Sequence, residues 1–455
     1  MTIQPELQAV VLAAGKGSRM LEITSRKPKC LLPVGPKPLI WYTLNNLQVS
    51  GFTEAIVIVL ETQRAEIQNH LENTDLNLKI EFVSIPEDRD DLGTADSLRL
   101  IHDRLKSDVL VLSCDLISDE NLSGLLNIFR KHNASIASLF LHSDPLGTLM
   151  VPGPKSKYKA ERDLVGIDVQ TNRLVFLASA SDFESDVSLP LKLLKKHTHV
   201  KMYSNLVDSH IYVIKNWVIQ HLKLEDSFTS LKGELIPYIV KRQLSKPPKT
   251  TDTNQSILNT KDTGSIFHFS EESDLDLLIR ETSSYNDHFG DLKPTYNGDS
   301  IRCYAYVAPK ASFGIRVNNL PAYWSINGKI SNLWEKITPT KDLIRKSAGA
   351  SVQSNQVDDK CIIWDGAKLK EKTSFKNAII GNNTEVESFS RVFNSIIMNN
   401  VTIKEKVAIE NSIICDGAVI ESGCKIKNCI IGCGHLLNEN SEHINEVLTE
   451  TLMHF

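Results

Sequence analysis

Along the last quarter of the chain an apolar residue recurs at steps of six, six and five positions. One column is Ile363, Ile380, Ile397, Ile414 and Ile431; a second is Leu369, Val386, Ile403, Ile420 and Leu437; a third is Phe375, Val392, Ile409 and Ile426. Each column has a period of 17 residues. A helix would show a 3.6-residue period and an ordinary strand a two-residue one, so a six-residue step predicts short strands separated by bends. Three columns per period imply three inward faces. One such coil cannot bury its apolar side, but a stack of coils shares a continuous core. Between the columns fall Asp365-Gly366, Asn382-Asn383, Asn399-Asn400 and Asp416-Gly417, residue types that tolerate the dihedrals of corners. Asn377, Asn394, Asn411 and Asn428 form a polar column whose amides could stack along the axis. The expectation is a parallel β-helix from Val352 to Leu437, about five turns, ending near His443, which breaks the third column.

The first 130 residues read differently. Apolar runs at Leu7–Ala14, Glu54–Leu60, Lys79–Ser84, Asp108–Ser113 and Ala134–Leu141 predict strands. Helical patterns at Pro38–Leu47, Thr62–Leu71, Thr94–Leu105 and Asn121–Arg130 fall between them. Alternation of this kind predicts a mostly parallel sheet with helices on both faces. Phe267, Phe269 and Ile301–Val307 read as strands completing that unit, with a helix over Asp274–Arg280. Asn319–Trp334 predicts a connecting helix and then a turn at Asn327-Gly328, its aromatics packing two units together. The expected organisation is an α/β unit over 1–310, a connecting segment over 311–350, the β-helix over 351–443 and a tail over 444–455. The polar stretch 245–265 predicts a flexible insertion.

A chain of 455 residues exceeds a single core, which agrees with that division. The net charge of −4 gives no reason to expect nucleic acid or an anionic membrane. No run of 18 apolar residues predicts a membrane span, and the polar start reads as no secretory leader. Eight cysteines without a C-x-x-C pair suit reduced thiols better than a disulfide framework or zinc. The expected address is the cytosol. His435 is the only histidine between Ile363 and Leu437, which argues against acyl transfer on the coils.

In open α/β sheets ligands sit beyond the carboxyl ends of the strands, and three features fall there. Gly15, Gly17 and Arg19 follow the first strand; the glycines would let backbone amides approach phosphate, although the turn matches neither the dinucleotide nor the Walker A pattern. Gly93 and Thr94 open a helix whose free amides could receive a base or phosphate. Asp115 follows the buried strand Val109–Leu112 and could hold magnesium on a nucleotide. Each alone is also satisfied by a plain turn or helix cap.

Taken together, Val10–Leu39 (VVLAAGKGSRMLEITSRKPKCLLPVGPKPL) and the Gly-Thr-Ala motif resemble the sugar-nucleotide pyrophosphorylase family. The resemblance implies a nucleotidyltransferase-like fold with a left-handed hexapeptide β-helix. It implies phosphate contacts for Arg19 and Lys29, a base contact at Gly93–Ala95, and metal carboxylates at Asp115 and Asp208. If active, a sugar 1-phosphate oxygen would attack the α-phosphorus of a nucleoside triphosphate. Departures speak against that chemistry: Cys114 stands where the family has glycine, His210 where it has a small residue, and no Glu-Lys-Pro motif lies between Leu164 and Asp182. Within the family, Pro28–Leu47, Asp91–Leu98, Val109–Ile117, Val207–Tyr212, Gly233–Val240, Arg302–Val307 and Ile413–Val419 are similar to gamma subunits of eukaryotic translation initiation factor 2B. That implies a scaffold with no catalytic residue and no cofactor. Its implied partners are the epsilon, alpha, beta and delta subunits and initiation factor 2. The end at Phe455, soon after the coils, resembles gamma rather than epsilon, which carries a further exchange domain.

Overall fold

The computed structural model describes residues 6–89, 91–142, 151–154, 163–179, 186–245, 266–270, 274, 278 and 299–449. The stretch 246–265, and most of the helix expected over Asp274–Arg280, lie outside the described residues.

Seven strands form the main sheet: β1 (Leu7–Leu12), β2 (Glu54–Leu60), β3 (Lys79–Ile85), β4 (Asp108–Ser113), β5 (Ile136–His142), β6 (Leu206–Ile214) and β7 (Cys303–Val307). Their order is β7-β5-β6-β4-β1-β2-β3. β1, β2, β3 and β4 run parallel, as do β5 and β7, whereas β6 is antiparallel to both of its neighbours. Runs such as Val57-Ile58-Val59 are buried on both faces, which continuous β-branched sequence favours. Helices Leu39–Val49, Glu61–Glu72, Thr94–Leu100 and Ser123–Lys131 lie between the strands. β1 and β4 end side by side, with the Cys114 amide donating to the Leu12 carbonyl at 3.1 Å. The glycine turn and Asp115 therefore open on one edge.

The β-helix consists of three parallel sheets of six strands each. Pairing follows the 17-residue register, for example Ile380 with Ile397 and Val386 with Ile403. The three columns fill the interior. The coils extend beyond the far end of the sequence reading: His443 pairs with Ile426 instead of ending the ladder, and Val447–Leu448 pairs with Ile430–Ile431. A histidine at a half-open end coil keeps its backbone bonds without having to fill the core. Asn377, Asn394 and Asn411 adopt positive φ of 46–48° and link amide to amide at 2.7 and 2.6 Å.

The isoleucines come in pairs. Ile363, Ile380, Ile397, Ile414 and Ile431 face inward, while Ile362, Ile379, Ile396, Ile413 and Ile430 pack outward against the α/β unit. Helix Leu320–Ile337, which carries Trp334, shares that outer core with Trp41 and Tyr42. Trp41 and Trp334 stack with centroids 6.0 Å apart. The helix runs straight through Asn327-Gly328, where a turn was expected. The Asn327 side chain donates to the Tyr323 carbonyl at 3.0 Å and accepts the Gly35 amide at 3.0 Å. Those buried bonds and the packed face outweigh the local turn preference of Asn-Gly. Phe267 and Phe269 lie on the helix Ile266–Phe269 rather than on a strand, with Ile266 buried in the sheet's core.

Candidate functional site

The glycine turn leads from β1 into a short 3-10 segment, Ser18–Met20. Gly17 has φ +72°, and a Cβ there would come within 2.9 Å of the Thr24 side chain, so glycine is required twice over. Arg19 is exposed on this turn. Lys16 reaches across to Asp91 at 2.9 Å.

Asp115 is 2% exposed. Lys29 lies 2.5 Å from its Oδ2, and the Ser113 hydroxyl donates to its Oδ1 at 2.7 Å. Arg316 approaches both oxygens, at 3.4 and 3.3 Å. Arg316 escapes a reading by motif, since it arrives on Gly314–Arg316, which pairs antiparallel with Leu116–Ser118 and sets Arg316 opposite Leu116. Its sequence signal is one cation within Phe313-Gly314-Ile315-Arg316-Val317. Burial opposes ionisation of Asp115, but Arg316 and Lys29 outweigh it and hold the carboxyl well below the usual range. Burial also lifts the neighbouring Cys114 thiol to about 12.

Asp208 sits where β6 bulges, between its pairings at Asp208 and at Tyr212. His210 takes positive φ of 56° at that bulge. Asp208 is fully buried and accepts from the His210 amide at 2.8 Å and the Tyr212 hydroxyl at 2.7 Å. Burial raises its pKa, only partly offset by Lys232, which pairs with Asp163 at 2.9 Å. Asp115 and Asp208 both act on Arg316, raising its pKa against the burial that lowers it. Burial, reinforced by Arg316, lowers the His210 pKa well below the ordinary histidine value, and its Nε2 is buried without a hydrogen-bond partner among the described residues.

The start of helix Thr94–Leu100 is filled from within. The Ala95 amide donates to the Thr229 carbonyl at 2.9 Å, and the Thr94 hydroxyl accepts the Leu231 amide at 2.9 Å. A Cβ on Gly93 would sit 2.1 Å from the Thr229 oxygen, so glycine admits this protein loop. The structure therefore joins Lys29 and Arg316 to Asp115, while Gly93 and Thr94 face Thr229–Leu231. Among the described residues no three His, Cys, Asp or Glu side chains converge as a metal site.

Two family models match the chain. One for nucleotidyl transferases matches residues 8–145, and one for GlmU-like C-terminal hexapeptides matches 370–442. The class is thus a nucleotidyltransferase-like unit followed by a hexapeptide β-helix. The chain is 30% identical over 378 residues to the translation initiation factor eIF2B subunit gamma of Schizosaccharomyces pombe, covering 82% of this chain and 74% of that protein. The subunit of the same name from Caenorhabditis elegans is 31% identical over 242 residues, 52% of this chain and 59% of that one. That of Dictyostelium discoideum is 27% identical over 423 residues, 84% and 89% of the two chains. The chain belongs to the eIF2B gamma-subunit family.

Proposed function

We infer that the chain is a non-catalytic scaffold subunit of a cytosolic initiation factor 2B complex. In this reading it holds the epsilon subunit and supports GDP/GTP exchange on initiation factor 2, together with the alpha, beta and delta subunits. Gly15, Gly17, Arg19, Lys29, Gly93 and Thr94 are then remnants of a nucleotide site, and Asp115 and Asp208 remnants of a metal site. The observation that carries the reading is the pairing of the buried Asp115 with both Lys29 and Arg316. A hard divalent cation needs several oxygens around one open space. Here a guanidinium and an ammonium neutralise Asp115, and the burial of Asp208 favours its neutral form. These residues do not fit a bound magnesium ion.

Two measurements test it. The purified chain, given magnesium, a nucleoside triphosphate and a hexose 1-phosphate, should release no pyrophosphate. Native purification should bring down the other subunits of the exchange factor. A second reading, an active sugar-1-phosphate nucleotidyltransferase, draws on the retained glycine turn and exposed Arg19. Pyrophosphate release that disappears in Asp115→Asn would establish it instead.

A further inference from the structure

A cavity of about 430 Å³ lies between helix Leu320–Ile337 and the β-helix. Trp324 and Ser325 line it from the helix. Ile379 and Ile396 give it an apolar wall, and Asn377, Asn394 and Asn411 give it a polar one. None of the residues gathered around Asp115 and Asp208 lines it. Its size suits one small molecule, since ligand cavities run from about 300 to 1,000 Å³.

Two hydrogen-bonding gaps coincide with this cavity. Ser325 is 2% exposed, and its hydroxyl has no partner among the described residues. A hydroxyl on a helix ordinarily returns to the carbonyl one turn back, as Thr338 does to Trp334 at 2.9 Å. The second gap is in the asparagine column. Asn377 donates to Asn394 and Asn394 to Asn411, and further along Asn428 donates to Asn445 at 3.0 Å. The step between is not made: Asn428 Oδ1 is buried without a partner, and Asn411 Nδ2 donates to no side chain among the described residues. The column that lines the cavity therefore stops on an amide nitrogen with both hydrogens to give. Folded interiors satisfy most polar groups, and a ligand in the cavity would supply what Ser325 and Asn411 lack.

The lining also selects a class of ligand. Its polar groups are amides and hydroxyls, and among the described residues only Lys329 brings a charge. The ladder bonds fix the order of donors and acceptors along the column. A hydroxyl serves in either role, so a ring bearing several hydroxyls matches such a row whatever its order. A peptide backbone matches it poorly, because the coils repeat about every 4.8 Å and like groups along a strand about every 6.8 Å. The C–H face of the ring would rest on Ile379, Ile396 and the amphipathic Trp324. We propose that the cavity binds an uncharged ring polyol, a monosaccharide or a cyclitol. One ligand hydroxyl accepts from Asn411 Nδ2, and another pairs with the Ser325 hydroxyl, which gives up no existing bond. A ligand held there touches the helix and successive coils at once, so it stabilises their shared core by mass action.

The test is saturation-transfer NMR on the full-length chain, with glucose, galactose, mannose and myo-inositol as probes. Glucose 1-phosphate and adenosine serve as the charged and the aromatic control. At least one polyol should bind with a Kd of about 1 mM, ordinary for a ligand of this size, and should raise the melting temperature. Neither control should bind more tightly than that polyol. Ser325→Ala removes only an unpartnered hydroxyl, so it should fold normally and weaken binding about three- to tenfold. Gly328→Phe should abolish binding: Gly328 lines the cavity, and a Cβ there meets nothing within 4 Å, so the ring fills open space. The probe series on the wild-type chain needs no variant, so a misfolded variant does not remove the test. No binding of any probe at about 20 mM, or tighter binding of either control, would overturn the proposal. So would binding that persists in folded Gly328→Phe or is unchanged in Ser325→Ala.

Discussion

The β-helix and the cleft use polar side chains in opposite ways. In the coils Asn377 donates to Asn394 and Asn394 to Asn411, each 17 residues on, so one link repeats its neighbour. In the cleft Asp115 gathers Lys29 from 86 residues before it and Arg316 from 201 after. A repeated link can be lost while those beside it persist. A convergent one leaves every partner stranded. The difference is one of redundancy, and it sets how steeply each region should respond to change.

The largest effects should arise where the regions share a core or where convergence is tightest. Trp334→Ala removes a buried ring from between the two units and should cost about 3–5 kcal/mol, seen as a lower denaturant midpoint and a loss of Trp fluorescence change. Asp115→Asn should cost a similar amount, about 3–5 kcal/mol, because two buried cations lose their counter-charge. Arg316→Met made in the same chain should recover part of that loss, whereas two independent sites would simply add. Because the folded pKa of Asp115 is depressed, its stabilisation is present above the unfolded value of about 3.9 and is lost as pH falls below it. Acid unfolding of Asp115→Asn should therefore be shallower in that range.

A smaller effect should follow from His132, buried and stacked on Tyr304 at 4.3 Å. Burial lowers its pKa to about 4. The unfolded chain takes up this proton near pH 6.5 and the folded chain does not, so stability should fall between about 6.5 and 4, by up to about 3 kcal/mol. His132→Phe should flatten the profile there. The smallest effect belongs to the ladder. Asn394→Ala loses two amide links and places alanine at positive φ, for about 1–2 kcal/mol, and Asn394→Gly should cost less. A loss from Asn394→Ala equal to that from Asp115→Asn would erase the contrast between the regions.

The same contrast explains what could be read in advance. The inward columns were legible because each is repeated five times or nearly so, and Asp115 because a buried strand delivers it to an edge. The outward isoleucines stood beside the inward ones in every coil, but nothing in the period says what an outer face will meet. Arg316 and the Thr229–Leu231 loop come from remote segments and carry no spacing relative to the motifs they fill. Asn327-Gly328 was misread because a local turn preference yields once its side chain is tied to the Gly35 backbone.

The paired isoleucines have one further consequence. A free solenoid is quasi-one-dimensional, and its end repeats can fray one after another. Here five successive coils each give one isoleucine to the internal stack and the next to a globular neighbour. Opening any of these coils therefore also exposes part of the second core. The stack and the α/β unit should behave as a single foldon across Ile362–Ile431, with the slowest amide exchange in the middle coils and sequential melting confined to the last one.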